Sequence, residues 1–158
     1  MGSQRKLLRN LAVAALLAGA LGTTTFLLLD VSAEAEPSWI ESRIASNALH
    51  LKLRLSRAAK APPFVANESD LERGSDLYIK QCAFCHGTMR GRKGPYAGSF
   101  SPRPPQFVIQ PARGPTWRDV EVIRHGVRWT GMPAFPWLPE ADAWRVALYV
   151  EGRSQPKD

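Results

Sequence analysis

Cys82-Ala83-Phe84-Cys85-His86 constrains this chain more than any other stretch. Two thiols three positions apart, followed at once by an imidazole, is the spacing for covalent attachment of haem c. Thiols at that interval leave one helical turn on the same side, so both can reach the vinyl groups of a single porphyrin. The ring of His86 follows on that turn and can come up to one face of the iron, where it sets the electronics of an axial position. Other uses of a C-x-x-C pair fit less well. A thioredoxin-like pair belongs beside a strand–helix–strand alternation, which is not seen here. A structural zinc site takes four protein ligands. Cys82 and Cys85 are the only cysteines, and His50 and His125 are not spaced to complete such a site.

A six-coordinate electron-transfer haem needs a second ligand, and Gly131-Met132-Pro133-Ala134-Phe135 offers one. A methionine sulfur is neutral and soft, favours the ferrous state and raises the reduction potential. Pro133 biases Met132 toward extended backbone and so stiffens the loop that carries it. The methionine could instead fill a core gap, but elimination favours ligation. Met1 precedes the apolar N-terminal run, and Met89 follows His86 too closely to pass around the ring. His125 is the competitor, and a bis-histidine haem would have a lower potential.

Ahead of this region, residues 1–30 read as a membrane segment. Arg5, Lys6 and Arg9 precede Leu11–Leu29, which carries no charge, and Asp30, Glu34 and Glu36 follow. Roughly 20 apolar residues cross a bilayer core, and the leading positive charges place the N-terminus in the cytoplasm. The expected location is the bacterial cytoplasmic membrane, single pass, with the haem domain on the periplasmic side, where haem c is attached. A cleaved signal peptide is the alternative, since Val31-Ser32-Ala33 and Ala33-Glu34-Ala35 offer small residues. The run is longer than a usual signal core, which favours a retained anchor.

Residues 37–60 are expected to form an amphipathic basic helix beginning at Pro37 and ended by Ala61-Pro62-Pro63. Trp39, Ile40, Ile44, Ala48, Leu51 and Leu55 recur near helical spacing, with Arg43, Lys52, Arg54, Arg57 and Lys60 toward its end. It suits either a membrane surface or packing on protein, and His50 within it reads as an ordinary exposed residue. Residues 61–68 read as a linker, 69–153 as the haem domain and 154–158 as a polar tail. In the haem domain, Ser69 or Asp70 is expected to cap a helix running into Cys82, and Gly74 to permit a close helix contact. The glycine-rich loop 87–95 should pass the haem edge, with the Pro95 carbonyl the expected partner of the second His86 N–H. The proline-rich run 101–115 reads as irregular chain. Arg92, Arg103 and Arg113 are expected to be mainly solvated charges that could pair with haem propionates. A short helix capped by Thr116 should end at His125-Gly126. A last helix from Pro139 to about Gly152 should set Trp144, Ala147, Leu148 and Glu151 along one side, packed near Gly74 and Tyr78, with Val146 and Val150 flanking.

From Leu71 to Gly152 the chain resembles the class I (mono-haem) cytochrome c family, of a membrane-anchored bacterial type. The resemblance rests on Cys82-Ala83-Phe84-Cys85-His86-Gly87, Gly91 with Gly94-Pro95, Ile123-Arg124-His125-Gly126, the Gly131–Phe135 run and the closing helix. It implies an all-α fold wrapped on one covalent haem c. By the same resemblance Cys82 and Cys85 are the thioether links, His86 the proximal ligand and Met132 the distal one. The expected function is shuttling one electron between respiratory-chain or dehydrogenase partners. The alternatives are a relay subunit of a larger membrane respiratory complex or, less well supported, a haem enzyme with an open distal site. The chain offers no nucleophile–base pair and no paired acids, so an enzyme is not expected. The formal charge of +7 over 158 residues suits an acidic docking face on a redox partner or an anionic membrane surface. Basic residues do not interleave with aromatics as in a nucleic-acid surface.

Overall fold

The computed structural model describes residues 2–28, 32, 35–56, 58–112 and 114–154. Met1, Leu29, Asp30, Val31, Ala33, Glu34, Arg57, Arg113 and residues 155–158, which figure in the expectations above, lie outside the described residues. Six helices and no strand occur among the described residues: α1 (Gly2–Leu27), α2 (Trp39–Arg54), α3 (Glu68–Gln81), α4 (Ala83–His86), α5 (Trp117–His125) and α6 (Glu140–Ser154). The fold class is therefore all-α, as expected. Two compact units divide the chain, Met1–Ser32 and Ala33–Asp158.

The first unit is α1. Its stretch Ser3–Leu27 is long and apolar enough to cross a membrane, with a mean hydropathy of 1.6; a signal sequence meets the same measure. At 1.5 Å per residue it spans about 38 Å, more than the hydrocarbon core. The Thr23, Thr24 and Thr25 hydroxyls donate to the carbonyls of Gly19, Ala20 and Leu21, each at 2.9 Å. That bonding removes the one polar feature inside the apolar run.

The second unit begins with α2, which is shorter than the expected 37–60. Ser38, not Pro37, sets its start. The Ser38 hydroxyl accepts from Glu41 N at 3.3 Å, while the Glu41 carboxylate accepts from Ser38 N at 2.7 Å, a reciprocal capping box. The helix ends at Arg54, well before Pro62. Ser56 Oγ donates to Glu121 Oε2 at 2.6 Å, and Lys60 Nζ lies 3.2 Å from the Trp117 ring centroid. These two contacts turn the chain onto α5 before the prolines are reached.

α3 and α6 form the frame. α3 is capped one turn earlier than expected, by Asn67, whose side chain accepts from Asp70 N at 3.2 Å while Asp70 Oδ2 accepts from Asn67 N at 3.1 Å. The other Asp70 oxygen accepts from Arg145 Nε of α6 at 2.8 Å. Asp142 accepts from Arg145 at 2.7 Å and from Arg73 at 3.0 Å. The Arg145 hydrogen bond holds Asp70 below the usual carboxylate range, and bonds from Arg73 and Arg145 outweigh burial to do the same for Asp142. Two arginines and two aspartates thus fasten the start of α3 to α6.

Gly74 lets the two helices touch. A Cβ there would meet the Arg145 carbonyl oxygen, with its carbon at 2.7 Å and Tyr149 Cβ at 3.1 Å. Beneath this crossing lie Leu77, Tyr78, Ala83, Val120, Ile123, Phe135, Ala143, Trp144, Val146, Ala147 and Val150. The buried side of α6 is therefore the i, i+3, i+4, i+7 set Ala143, Val146, Ala147 and Val150, together with Trp144. Val146 and Val150 are interior, not flanking, and Leu148 is only half-buried. Pro139 lies just outside α6, its carbonyl accepting from Asp142 N at 2.9 Å and Ala143 N at 3.0 Å. Thr116 stands at the N-cap position of α5, as expected, but its side chain makes no cap bond: its hydroxyl donates to Glu151 Oε2 at 2.5 Å.

Two outcomes follow from this packing. Gly74→Ala is expected to lower stability by about 1–3 kcal/mol, because the helices must separate to admit the methyl; denaturant unfolding of the haem-loaded protein measures it. Burial, reinforced by Glu151, pushes Asp119 up to about 6 from 3.8. The folded state therefore holds that proton more tightly than the unfolded chain, so the carboxyl costs stability as pH rises from about 4 to 6 and stays unfavourable at 7. Asp119→Asn is expected to raise stability at pH 7 by on the order of 1 kcal/mol and to flatten that part of the stability–pH curve.

Candidate functional site

The Cys82–His86 motif sits at the junction of α3 and α4. α3 ends with Cys82 N donating to Tyr78 O at 2.9 Å, and the next turn closes with His86 N donating to Cys82 O at 2.9 Å. Both thiols and the imidazole are carried on this single turn. Tyr78 braces it from inside the core: its hydroxyl donates to the Gly87 carbonyl at 2.8 Å. Gly87 has φ 75°, and a Cβ there would lie 2.6 Å from Arg92 O, so the chain leaves the motif by a path open to glycine.

His86 Nδ1 lies 2.9 Å from the Pro105 carbonyl. The acceptor expected at Pro95 is thus corrected to Pro105. The reason is the close packing of the 87–95 loop against the back of the motif. Gly94 presses on it so tightly that a Cβ would sit 2.5 Å from both the Phe84 and Cys85 carbonyl oxygens. Tyr96 N donates to Phe84 O at 3.4 Å, and the Phe84 and Tyr96 rings lie 4.5 Å apart. That loop braces the turn from behind, and the proline-rich run supplies the imidazole's partner.

The run is held in place by Gln106, which is 6% exposed. Its Nε2 donates to Cys85 O at 2.9 Å and Pro104 O at 3.0 Å, and its Oε1 accepts from Gly94 N at 2.9 Å. Next to it, Phe107 stacks on the His86 ring, with centroids 4.8 Å apart and planes 13° from parallel. Pro105, Gln106 and Phe107 therefore hold the imidazole, and none of them was expected to. Their only sign in the sequence was an amide and an aromatic ring inside a stretch otherwise rich in proline.

Met132 lies half-buried against the same core cluster that Cys82 and Phe107 touch. Its backbone is bonded at both ends. Met132 N donates to Thr130 Oγ1 at 3.1 Å, and its carbonyl accepts from Val127 N at 3.1 Å. Gly126, at φ 65°, is pressed against this segment: a Cβ there would lie 2.8 Å from Met132 O and 2.7 Å from Ala134 N. Phe135 N donates to Ile123 O at 3.1 Å, closing the loop back onto α5. Within it, Trp129 has φ 60° and is 89% exposed. The competing ligand, His125, faces Glu121 at 3.7 Å with a side chain 65% exposed. Met89 packs on the core cluster, and His50 is exposed. Arg103 pairs with Glu36 at 2.8 Å on the surface, Arg92 is exposed, and Arg113 lies outside the described residues.

The donor set fits a tethered iron porphyrin. No disulfide joins Cys82 and Cys85, so both sulfurs are available to the porphyrin's vinyl groups; burial pushes the Cys82 thiol up to about 12 and raises that of Cys85 as well. Burial lowers His86, partly opposed by the Pro105 carbonyl, so the ring is a neutral imidazole with Nδ1 engaged and Nε2 open to a metal. Trp144 Nε1, like Arg118 Nε, is buried with no hydrogen-bond partner among the described residues.

Gln106→Leu removes all three amide bonds at once and leaves the Cys85 carbonyl and the Gly94 N–H buried and unpaired. The expected loss is about 2–3 kcal/mol, read by unfolding, with a shift of the His86 ring signals in the NMR spectrum of the reduced haem-loaded protein.

Residues 69–150, just over half of the chain, match the family described as cytochrome C oxidase, cbb3-type, subunit III. No curated protein and no solved structure gives a significant match. The match begins one residue after α3 starts and ends within α6, taking in the Cys-x-x-Cys-His turn, the run that holds His86 and the Met132 loop. The chain belongs to this family, and its Ala33–Asp158 unit carries a class I c-type cytochrome domain with one covalently bound haem c.

Proposed function

We propose that this chain is a membrane-anchored carrier of single electrons. In this reading Cys82 and Cys85 would form the thioether links, and His86 Nε2 and the Met132 sulfur would be the protein's ligands to the iron. The haem, when bound, supplies one reversible electron through its ferrous and ferric states. One observation carries the assignment: the His86 ring is already oriented, its Nδ1 on the Pro105 carbonyl at 2.9 Å and its face on Phe107. That bond keeps the Nδ1 proton in place and directs the other nitrogen outward. The doubly bonded Met132 backbone would hold its sulfur with little freedom to shift between oxidation states. Two protein ligands leave no position for a substrate, which favours a carrier over an enzyme.

α1 serves in this reading as a retained anchor with its N-terminus in the cytoplasm and the haem domain outside. The domain order is then anchor (1–30), basic helix (37–60, helical over Trp39–Arg54), linker (61–68), haem domain (69–153) and tail (154–158). Residues 69–153 carry 12 Lys and Arg against 8 Asp and Glu, a net charge of +4, which steers the haem domain toward an acidic face on a redox partner. The family description favours one narrower setting, a fixed relay subunit of a terminal oxidase, with the same chemistry at the iron.

Full-length protein matured in a host that attaches haem c is expected to bind one haem and titrate as a reversible one-electron couple. Its oxidised form should show the far-red absorption of a thioether–ferric bond, and its reduced form should bind carbon monoxide slowly. Met132→Ala is expected to lose that absorption, lower the potential and bind carbon monoxide fast. A wild type lacking the band, or a variant keeping it, sinks the Met132 assignment. Electron transfer to an acidic redox protein should slow by about tenfold or more from low to high salt.

A further inference from the structure

α2 has two apolar sides, and the haem-bearing unit uses only one. Ile40, Ile44, Ala48, Leu51 and Leu55 recur at steps of four, four, three and four. At about 100° per residue they fall in one band about 80° wide. Ile40 is 51% exposed, Ile44 65%, Leu51 58% and Leu55 72%. Leu53, the buried residue of α2 at 8%, projects from the opposite side. Ser56, just past the helix, is bonded to Glu121. The exposed band is therefore not a face waiting for the rest of this domain.

Its borders say what suits it. Arg43 and Arg54 lie along one edge and Lys52 along the other. The one acidic residue of α2, Glu41, is committed to the Ser38 cap at 2.7 Å. A second copy would bring the same cations against these. A bilayer with anionic headgroups offers acyl chains to the band and phosphates to its borders. The tether from Leu27 to Trp39 reaches at most about 40 Å, so binding would be intramolecular and would need little intrinsic affinity.

We propose that α2 lies in the outer membrane–water interface, with the Ile40–Leu55 band among acyl chains and Arg43, Lys52 and Arg54 at anionic phosphates. This rests on the reading that α1 stays as the anchor. Leu53 and the Ser56–Glu121 bond then make α2 a mount that sets how the haem domain faces the membrane.

The test uses full-length, haem-loaded protein at one copy per nanodisc, in phosphatidylcholine with and without phosphatidylglycerol. Amide hydrogen exchange is followed over residues 40–55. With phosphatidylglycerol, exchange is expected to be slower by about tenfold or more than in Ile44→Glu/Leu51→Glu. Both changed residues are exposed, so that variant should keep its circular dichroism and haem content. Arg43→Gln/Arg54→Gln should lose the preference for phosphatidylglycerol. Equal exchange in wild type and Ile44→Glu/Leu51→Glu overturns the proposal. So does protection that appears only with two copies per disc, or only with another protein present. Co-elution of the chain with the disc reads the anchor separately. A chain that leaves the disc removes the anchor and the proposal together, whereas a chain that stays while α2 exchanges freely removes only the proposal.

Discussion

The carboxamide of Gln106 bonds at once to the carbonyls of Cys85 and Pro104 and to the N–H of Gly94. In doing so it joins three pieces of chain that have little regular structure of their own. A buried amide can satisfy its donors and acceptor together only at one mutual arrangement of its neighbours, and unpaired groups there are costly. That arrangement is the one in which the Pro105 carbonyl meets His86 and the Phe107 ring lies on it. The helical frame of α3 and α6 holds up the turn that carries the motif. The aim of its imidazole is set by this irregular loop.

What could be read in the residues divides along the same line. The helices were legible because their signals are local: the run that makes α6, the stop at Gly126, and Gly74 as a point of close approach. Which α6 residues turn inward was not, since Val146 and Val150 are interior. Cys82, Cys85, His86 and Met132 were legible as candidates, since two thiols and an imidazole at this spacing have few other uses. Cap identities were less legible. Asn67, Asp70, Ser38 and Thr116 are all competent caps, and the choice among them depends on partners far away. Asp70 serves the Asn67 box because Arg145 takes its other oxygen, and Thr116 turns to Glu151.

The His86 acceptor was not legible at all. Pro95 and Pro105 offer the same carbonyl, and no local pattern distinguishes them. The distinction comes from packing: Gly94 has no side chain, so its loop closes against the motif from behind, and Gln106 draws the later segment across. The end of α2 shows the same limit. Pro62 was the visible breaker, but Ser56 and Lys60 had already found Glu121 and Trp117.

The Asp70–Arg145 bond spans 75 positions, and this separation bears on the order in which the protein matures. A core whose two principal helices stand at opposite ends of the domain cannot close until the ribosome has made the second of them. The Cys82–His86 turn lies between those two helices in sequence, so its support is complete only once the whole Asp70–Arg145 stretch is in place.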